Sequence, residues 1–167
     1  MTDESNPETR TVAPKRRPNI RLTPDEAWAF IASAHTGVFT TLRRDGMPIA
    51  TPTWFVAIDQ RVFISTPASA KKVLRVQHDS RASFLVESGE RWAELKAVHL
   101  TGQATLIDDP ELSGQVSATS NEKYQAFRTP RREMPSSAKA KYSGQSALIC
   151  FTPDERMLSW DNSRLSS

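Results

Sequence analysis

Three residues in the first half of the chain are spaced to hold an anion. Ser65 and Thr66 end the apolar run Phe63-Ile64, and Lys72 follows behind Pro67 and Lys71. Hydroxyls at a strand end and free N–H groups at a helix start donate hydrogen bonds to an oxyanion, and an ammonium adds a point charge. The same order of types also describes a Ser/Thr cap followed by a solvated lysine pair, so the spacing alone leaves both readings open. Other side-chain chemistry is sparse. His35, His78 and His99 fall on different elements, and the HExxH, GxSxG, phosphate-loop and dinucleotide patterns are absent. Cys150 is the single cysteine, so neither an intrachain disulfide nor a cysteine-based zinc site can form. Its apolar surroundings make it a buried structural residue. We assign no catalytic residue and expect no metal. A chain this poor in reactive groups can still act as an enzyme if a cofactor carries the reaction.

The elements that must position these residues are legible in the patterning. The 167 residues are 38% hydrophobic and 25% charged, which predicts one globular domain, residues 20–167, behind a polar arm, residues 1–19. The arm is rich in Ser, Thr, Pro and charge and reads as disordered. No apolar run approaches a membrane span and the N-terminus lacks a signal-like segment, so we expect a cytoplasmic protein. The formal net charge is +3, and the arm and its continuation to Leu22 hold five basic against three acidic residues. Little positive field is left for the domain, and nucleic acid is not an expected partner.

Thr23-Pro24-Asp25-Glu26 is a capping box opening a short amphipathic helix that Gly37 ends. Strands are predicted over 38–43, 48–58 and 61–66 as a three-strand meander, with Asp45-Gly46 as the first turn. Pro52 within the second strand implies an edge, a bulge or an opening in the ladder. A helix is expected between 67 and 79, then strands over 81–87 and 96–107. In the latter, Val98, Leu100, Gly102, Ala104 and Leu106 alternate with His99, Thr101, Gln103 and Thr105. A second capped helix runs from Asp109 to about Phe127. A Pro- and Lys/Arg-rich loop covers 128–144, and two short strands, 147–151 and 157–160, close the chain. This predicts a mainly β (α+β) antiparallel barrel with peripheral helices.

Taken in order, residues 36–42 (Thr-Gly-Val-Phe-Thr-Thr-Leu), Asp45-Gly46, Pro52-Thr53-Trp54-Phe55, Ser65-Thr66, Lys72, Arg81 and Gly89 resemble a known family. It is that of the pyridoxamine 5′-phosphate oxidase-like split β-barrels, dimeric proteins that bind FMN or the deazaflavin coenzyme F420. The resemblance spans roughly residues 22–110, with a weaker echo in Leu158-Ser159-Trp160-Asp161 through Leu165. The Thr66–Lys72–Asp79 spacing and the stretch from Tyr124 to Arg131 resemble an F420-using branch that includes biliverdin reductases. Three positions depart from the pattern: Ser80 within Asp79-Ser80-Arg81, Arg75 where Asn is common, and Asn162 where His usually follows Trp-Asp.

The resemblance implies a homodimeric split barrel with the cofactor site at the subunit interface. Ser65 and Thr66 would bind the cofactor phosphate and Lys72 would neutralise it. The backbone of Pro52, Thr53, Trp54 and Phe55 would follow the ring edge. Arg81 joins this set, or else pairs with a carboxylate at its strand start. Trp160 and Arg164 would reach the site from the second subunit. Arg128, Arg131, Arg132, Lys139 and Lys141, with Glu133 the one acid among them, form either a basic segment that follows the F420 tail or a plain surface loop. The implied activity is F420-dependent hydride transfer to an unsaturated small molecule, with Tyr124, Arg128 or solvent supplying a proton. The alternatives are an FMN-dependent oxidase or reductase and a non-catalytic flavin-binding protein.

Overall fold

A computed structural model describes residues 19–165 apart from Tyr142, so the expected N-terminal arm lies outside the described residues but for Asn19. Thr23 caps the first helix as expected. Its hydroxyl accepts the Glu26 N–H at 3.3 Å while the Glu26 carboxylate accepts the Thr23 N–H at 2.7 Å. The helix, α1 (Pro24–Ser33), buries Ala27 and Ile31. Then follow β1 (Gly37–Leu42), β2 (Pro48–Thr53), β3 (Val56–Ile58), β4 (Arg61–Pro67), α2 (Lys71–His78), β5 (Arg81–Ser88), β6 (Lys96–Ile107) and α3 (Pro110–Tyr124). The chain ends with α4 (Ser136–Lys141) and β7 (Ser146–Asp161), and one-turn 3₁₀ segments lie between several of these elements.

All seven strands form one antiparallel sheet in the order β2-β1-β5-β6-β7-β4-β3. Its two outermost strands are consecutive in the chain, with only Trp54 and Phe55 between them. Three peptide steps reach at most about 11 Å, so the two edges must meet there. The sheet therefore curls into a half-barrel whose seam is the Trp54–Phe55 crossover. This corrects the expected three-strand meander. The predicted strand over 48–58 is two strands on opposite edges, β2 paired with β1 and β3 paired with β4. Pro52, which has no N–H to give a second neighbour, sits on edge strand β2, one residue before that strand ends.

Period-two alternation fills the inside of the curl. Phe39, Phe84, Phe151 and Phe55 are buried with Ile64, Val98, Leu100 and Ile149, and the Phe55 and Phe84 rings meet edge-to-face at 4.7 Å. α1 and α2 join this core through Ala27, Ile31, Val73 and Val76. Cys150 is buried as expected, in a smaller cluster with Val56, Phe63 and Val116.

Two further differences from the sequence reading concern the second half. The two short C-terminal strands are one bent strand, β7, paired with β6 along its length. Its register jumps between Leu100 and Gly102, where Asp154, Glu155 and Arg156 arch out of the ladder. Such a bulge lets a long strand pair follow the curl. Gly102 is required there because a Cβ would run into the Thr152 carbonyl. The expected loop over 128–144 contains α4 and a 3₁₀ turn, Arg131–Glu133.

The last turn of α3 carries a buried cation. The Lys123 ammonium is enclosed without a hydrogen-bond partner among the described residues, 4.0 Å from the centre of the Phe55 ring. Burial pulls its pKa down to about 8. Below about pH 8 the side chain is charged in folded and unfolded chains alike, so the folded state carries the whole desolvation penalty. Above that pH the folded chain releases the proton first and the penalty fades. Lys123→Met should therefore raise the melting temperature near neutrality, and its advantage over the wild type should shrink as the pH approaches about 10. An advantage that stays constant across this range would show that the ammonium is solvated.

Candidate functional site

The seam opens onto a cleft of about 1220 Å³. One wall is the crossover and its flanks, Pro52, Thr53, Trp54, Phe55 and Val56. Ser65 and Thr66 of β4 and Lys72 of α2 line the same space. The structure thus brings together seven of the ten residues singled out in the sequence. They converge because β3 and β4 form a two-residue hairpin that returns the chain to the seam, and only three residues separate β4 from α2.

The cradle at the β4–α2 junction is open to an anion. Ser65 is exposed, Thr66 is 9% exposed, and α2 begins after Ala70 with no side-chain cap. The Lys72 side chain is half-buried and forms no salt bridge among the described residues. Burial first, and the Arg75 guanidinium second, hold its pKa below the ordinary lysine value. Arg75 itself turns away and donates to the hydroxyl of buried Thr41 at 3.1 Å. An anion between Ser65 and Lys72 would restore the charge balance that burial disturbs. Lys71, by contrast, is exposed and outside the cleft, as a solvated lysine would be.

The crossover wall is held by α3. The Tyr124 hydroxyl accepts the Phe55 N–H at 2.8 Å and lies 2.7 Å from the Phe55 carbonyl and 2.8 Å from that of His35. Its ring stacks flat on Trp54, with centroids 4.3 Å apart and planes within 2°. The phenol is fully buried and its pKa is raised, chiefly by burial. Its one proton is directed to backbone carbonyls and none toward the cleft, which removes Tyr124 as the proton donor suggested by the sequence.

A second stretch of the lining follows directly in the chain. After the 3₁₀ turn Gln125–Phe127, Phe127 packs on the His35 ring at 4.3 Å, and Arg128, Thr129, Pro130 and Arg131 line the cleft. Lys72, Arg128 and Arg131 make the lining cationic, with Asp108 the one carboxylate among the residues that line it. Arg132 and Lys139, also expected to serve a tail, lie outside the lining.

Three expected site residues are not brought to this cleft. The exposed Arg81 makes a two-pronged pair with Asp79, at 2.7 and 3.1 Å, which was the alternative reading of that residue. Its hydrogen bonds first, and its charge to a lesser extent, pull the Asp79 carboxyl down to about 2. Trp160 sits on β7 opposite Ala97. Arg164 binds its own chain, donating to the Glu26 carboxylate at 2.6 Å and to the Arg21 carbonyl at 2.8 Å. The sequence reading missed the polar side of α3, where Ser113, Ser117 and Ser120 line the cleft. Their three- and four-residue spacing, continued by Tyr124, was the available signal.

Among the described residues no helix is long and apolar enough to cross a membrane, and no cluster of His, Cys, Asp and Glu could hold a metal ion. No curated protein matches the sequence. A conserved hypothetical protein of Mycobacterium tuberculosis superposes with a TM-score of 0.75 at 27% identity, over 92% of this chain and 93% of its own. An F420 reductase shares the fold with a TM-score of 0.60 at 18% identity, over 81% and 98% of the two chains. So does the heme storage protein HutZ of Vibrio cholerae, at 0.64 and 15% identity, over 84% and 97%. The family described as pyridoxamine 5′-phosphate oxidase matches residues 23–158, four-fifths of the sequence and every strand of the sheet except the last three residues of β7. The chain belongs to that family.

Proposed function

We propose that the cleft holds a flavin-type cofactor, the deazaflavin F420 before FMN, and that the protein is an oxidoreductase acting on an unsaturated small molecule. The observation that carries this is the convergence of Ser65, Thr66 and Lys72 with the Pro52–Phe55 seam on one cleft. The donor set fits a phosphate ester: two hydroxyls, an uncapped helix start and an ammonium without a salt bridge among the described residues. Reduced F420, when bound, supplies a hydride. The chain's own part is to seat the ring edge against the backbone at the seam, and to exclude water with Trp54 and Phe127. Arg128 and Arg131 favour F420, because its anionic tail extends beyond the phosphate and FMN offers them no counter-charge. None of the three histidines lines the cleft of this chain.

A second copy completes the site in this reading. Register aligns Val38, Leu85, His99 and Leu158 across β1, β5, β6 and β7. Their strand neighbours Phe39, Phe84, Val98 and Ser159 point inward, so this row faces out, with Leu158 56% exposed. Trp160 lies two residues along the same face, and it and Arg164 are the residues assigned to the partner's cleft. Leu158→Asp should convert a dimer into monomers in light-scattering chromatography. An unchanged mass would place the interface elsewhere.

Fluorescence titration with F420 and with FMN tests the cofactor assignment. Lys72→Ala should weaken binding by about 1.5–3 kcal/mol, roughly 10- to 150-fold, the range for a hydrogen bond to a charged group. Wild-type affinity in that variant would remove Lys72 from the cradle. The pair Arg128→Ala and Arg131→Ala should weaken F420 more than FMN. Equal losses for both cofactors would detach these arginines from the tail.

A further inference from the structure

We propose that Tyr124 is the positioning residue of the cleft: a single phenol at the end of α3 sets both walls. The need for it comes from the crossover. The ladder between β1 and β2 stops at Thr53, and that between β3 and β4 starts at Val56, so Trp54 and Phe55 have no strand partner. Phe55 is nevertheless 2% exposed, and a buried backbone N–H without a partner is strongly disfavoured. The Tyr124 hydroxyl satisfies that N–H at 2.8 Å and shares its proton between the Phe55 and His35 carbonyls. The same side chain carries Trp54 flat on its ring, which gives the indole one orientation although it is 41% exposed. Tyr124 thus ties the crossover to the end of α1 as well as to α3.

The second wall depends on it through the chain itself. Four residues after Tyr124 comes Arg128, and between them Phe127 docks on the ring of His35, the residue whose carbonyl the phenol holds. Loss of the hydroxyl leaves the Phe55 N–H buried and unpaired, frees the crossover, and loosens His35 beneath Phe127. Trp54 and Phe127, which line the cleft, then both lose their support. Lys123 grips the Phe55 ring from the neighbouring helix position but makes no hydrogen bond to its backbone among the described residues, so it cannot replace the phenol.

Tyr124→Phe keeps the ring and deletes the hydroxyl, and it is compared with the wild type at a temperature where both are fully folded. Hydrogen exchange at the Phe55 amide should accelerate about tenfold or more, while amides in the β5–β6 ladder stay protected. Acrylamide should quench Trp54 more strongly, with Trp54→Phe as the reference. F420 affinity, the one readout that rests on the proposed function, should fall about tenfold or more. Unchanged Phe55 exchange overturns the proposal, as does F420 affinity within twofold of the wild type despite faster exchange. Should the wild type bind neither F420 nor FMN, the cofactor reading fails on its own. Exchange and quenching then decide: both increased supports the positioning role, and either unchanged overturns it. Trp54→Leu, which retains the phenol's hydrogen bonds, should leave Phe55 protected while weakening F420. Loss of Phe55 protection in that variant would place the strut in the indole rather than the hydroxyl.

Discussion

Trp54 and Phe55 join the two edges of a seven-stranded sheet, and the consequences of that short connection run through the molecule. A flat sheet would hold its first and last strands some 28 Å apart at about 4.7 Å per strand, far beyond the reach of two intervening residues. The sheet must curl, and curling brings Phe39, Phe84, Phe55 and Phe151 together inside it. The same closure leaves an imperfection. Backbone groups at the crossover belong to neither ladder, and the cleft forms at that break. The weak point of the sheet's hydrogen bonding and the candidate site are therefore the same place. Side chains fill most of that gap: Tyr124 takes the N–H and the carbonyl of Phe55, and the Thr53 hydroxyl donates to the Trp54 carbonyl at 3.1 Å.

Much of this was readable in the sequence, for reasons that differ by residue. The capping box at Thr23 and Glu26 is a local signal and formed as written. The alternation of Val98, Leu100, Gly102 and Ala104 against His99, Thr101 and Gln103 marks a strand with one buried face, and it became one. Local signals end at Pro52. A proline there announces an interrupted ladder without saying whether the strand bulges, stops or changes edge. That choice depends on β5, β6 and β7 inserting between the two hairpins, which is a long-range pairing. The join of the last two strands was hidden for a related reason. Polar Asp154-Glu155-Arg156 looks like a turn, yet the curl of the long β6–β7 pair accommodates it as an arch.

The site shows the same division. Ser65, Thr66 and Lys72 are close in sequence, and their convergence needs only one strand end and one helix start. Ser117 and Ser120 lie on a helix more than forty positions away and gain meaning only once α3 lies along β3. In the sequence, the hydroxyl of Tyr124 suggests a chemical task. Its burial and its three backbone neighbours give it a mechanical one instead. A phenol can do acid chemistry or fill a backbone vacancy, and only its surroundings decide between them.

The electrostatics of the cleft follow from where its cations come from. Lys72 is contributed by a helix packed on the core through Val73 and Val76, so its stem cannot retreat far into solvent. Burial therefore depresses its pKa, and an anion that bonds to Ser65 and Thr66 would offset that depression directly. Arg128 and Arg131 come from a segment with few core contacts, and both residues are exposed. One pole of the cleft is thus rigid and partly desolvated, suited to a compact group of fixed geometry such as a phosphate. The other is solvated and adaptable, suited to a charged chain of variable length. The proposed ligand is asymmetric in the same sense: its ring and phosphate would meet the rigid pole, and its flexible anionic tail the adaptable one.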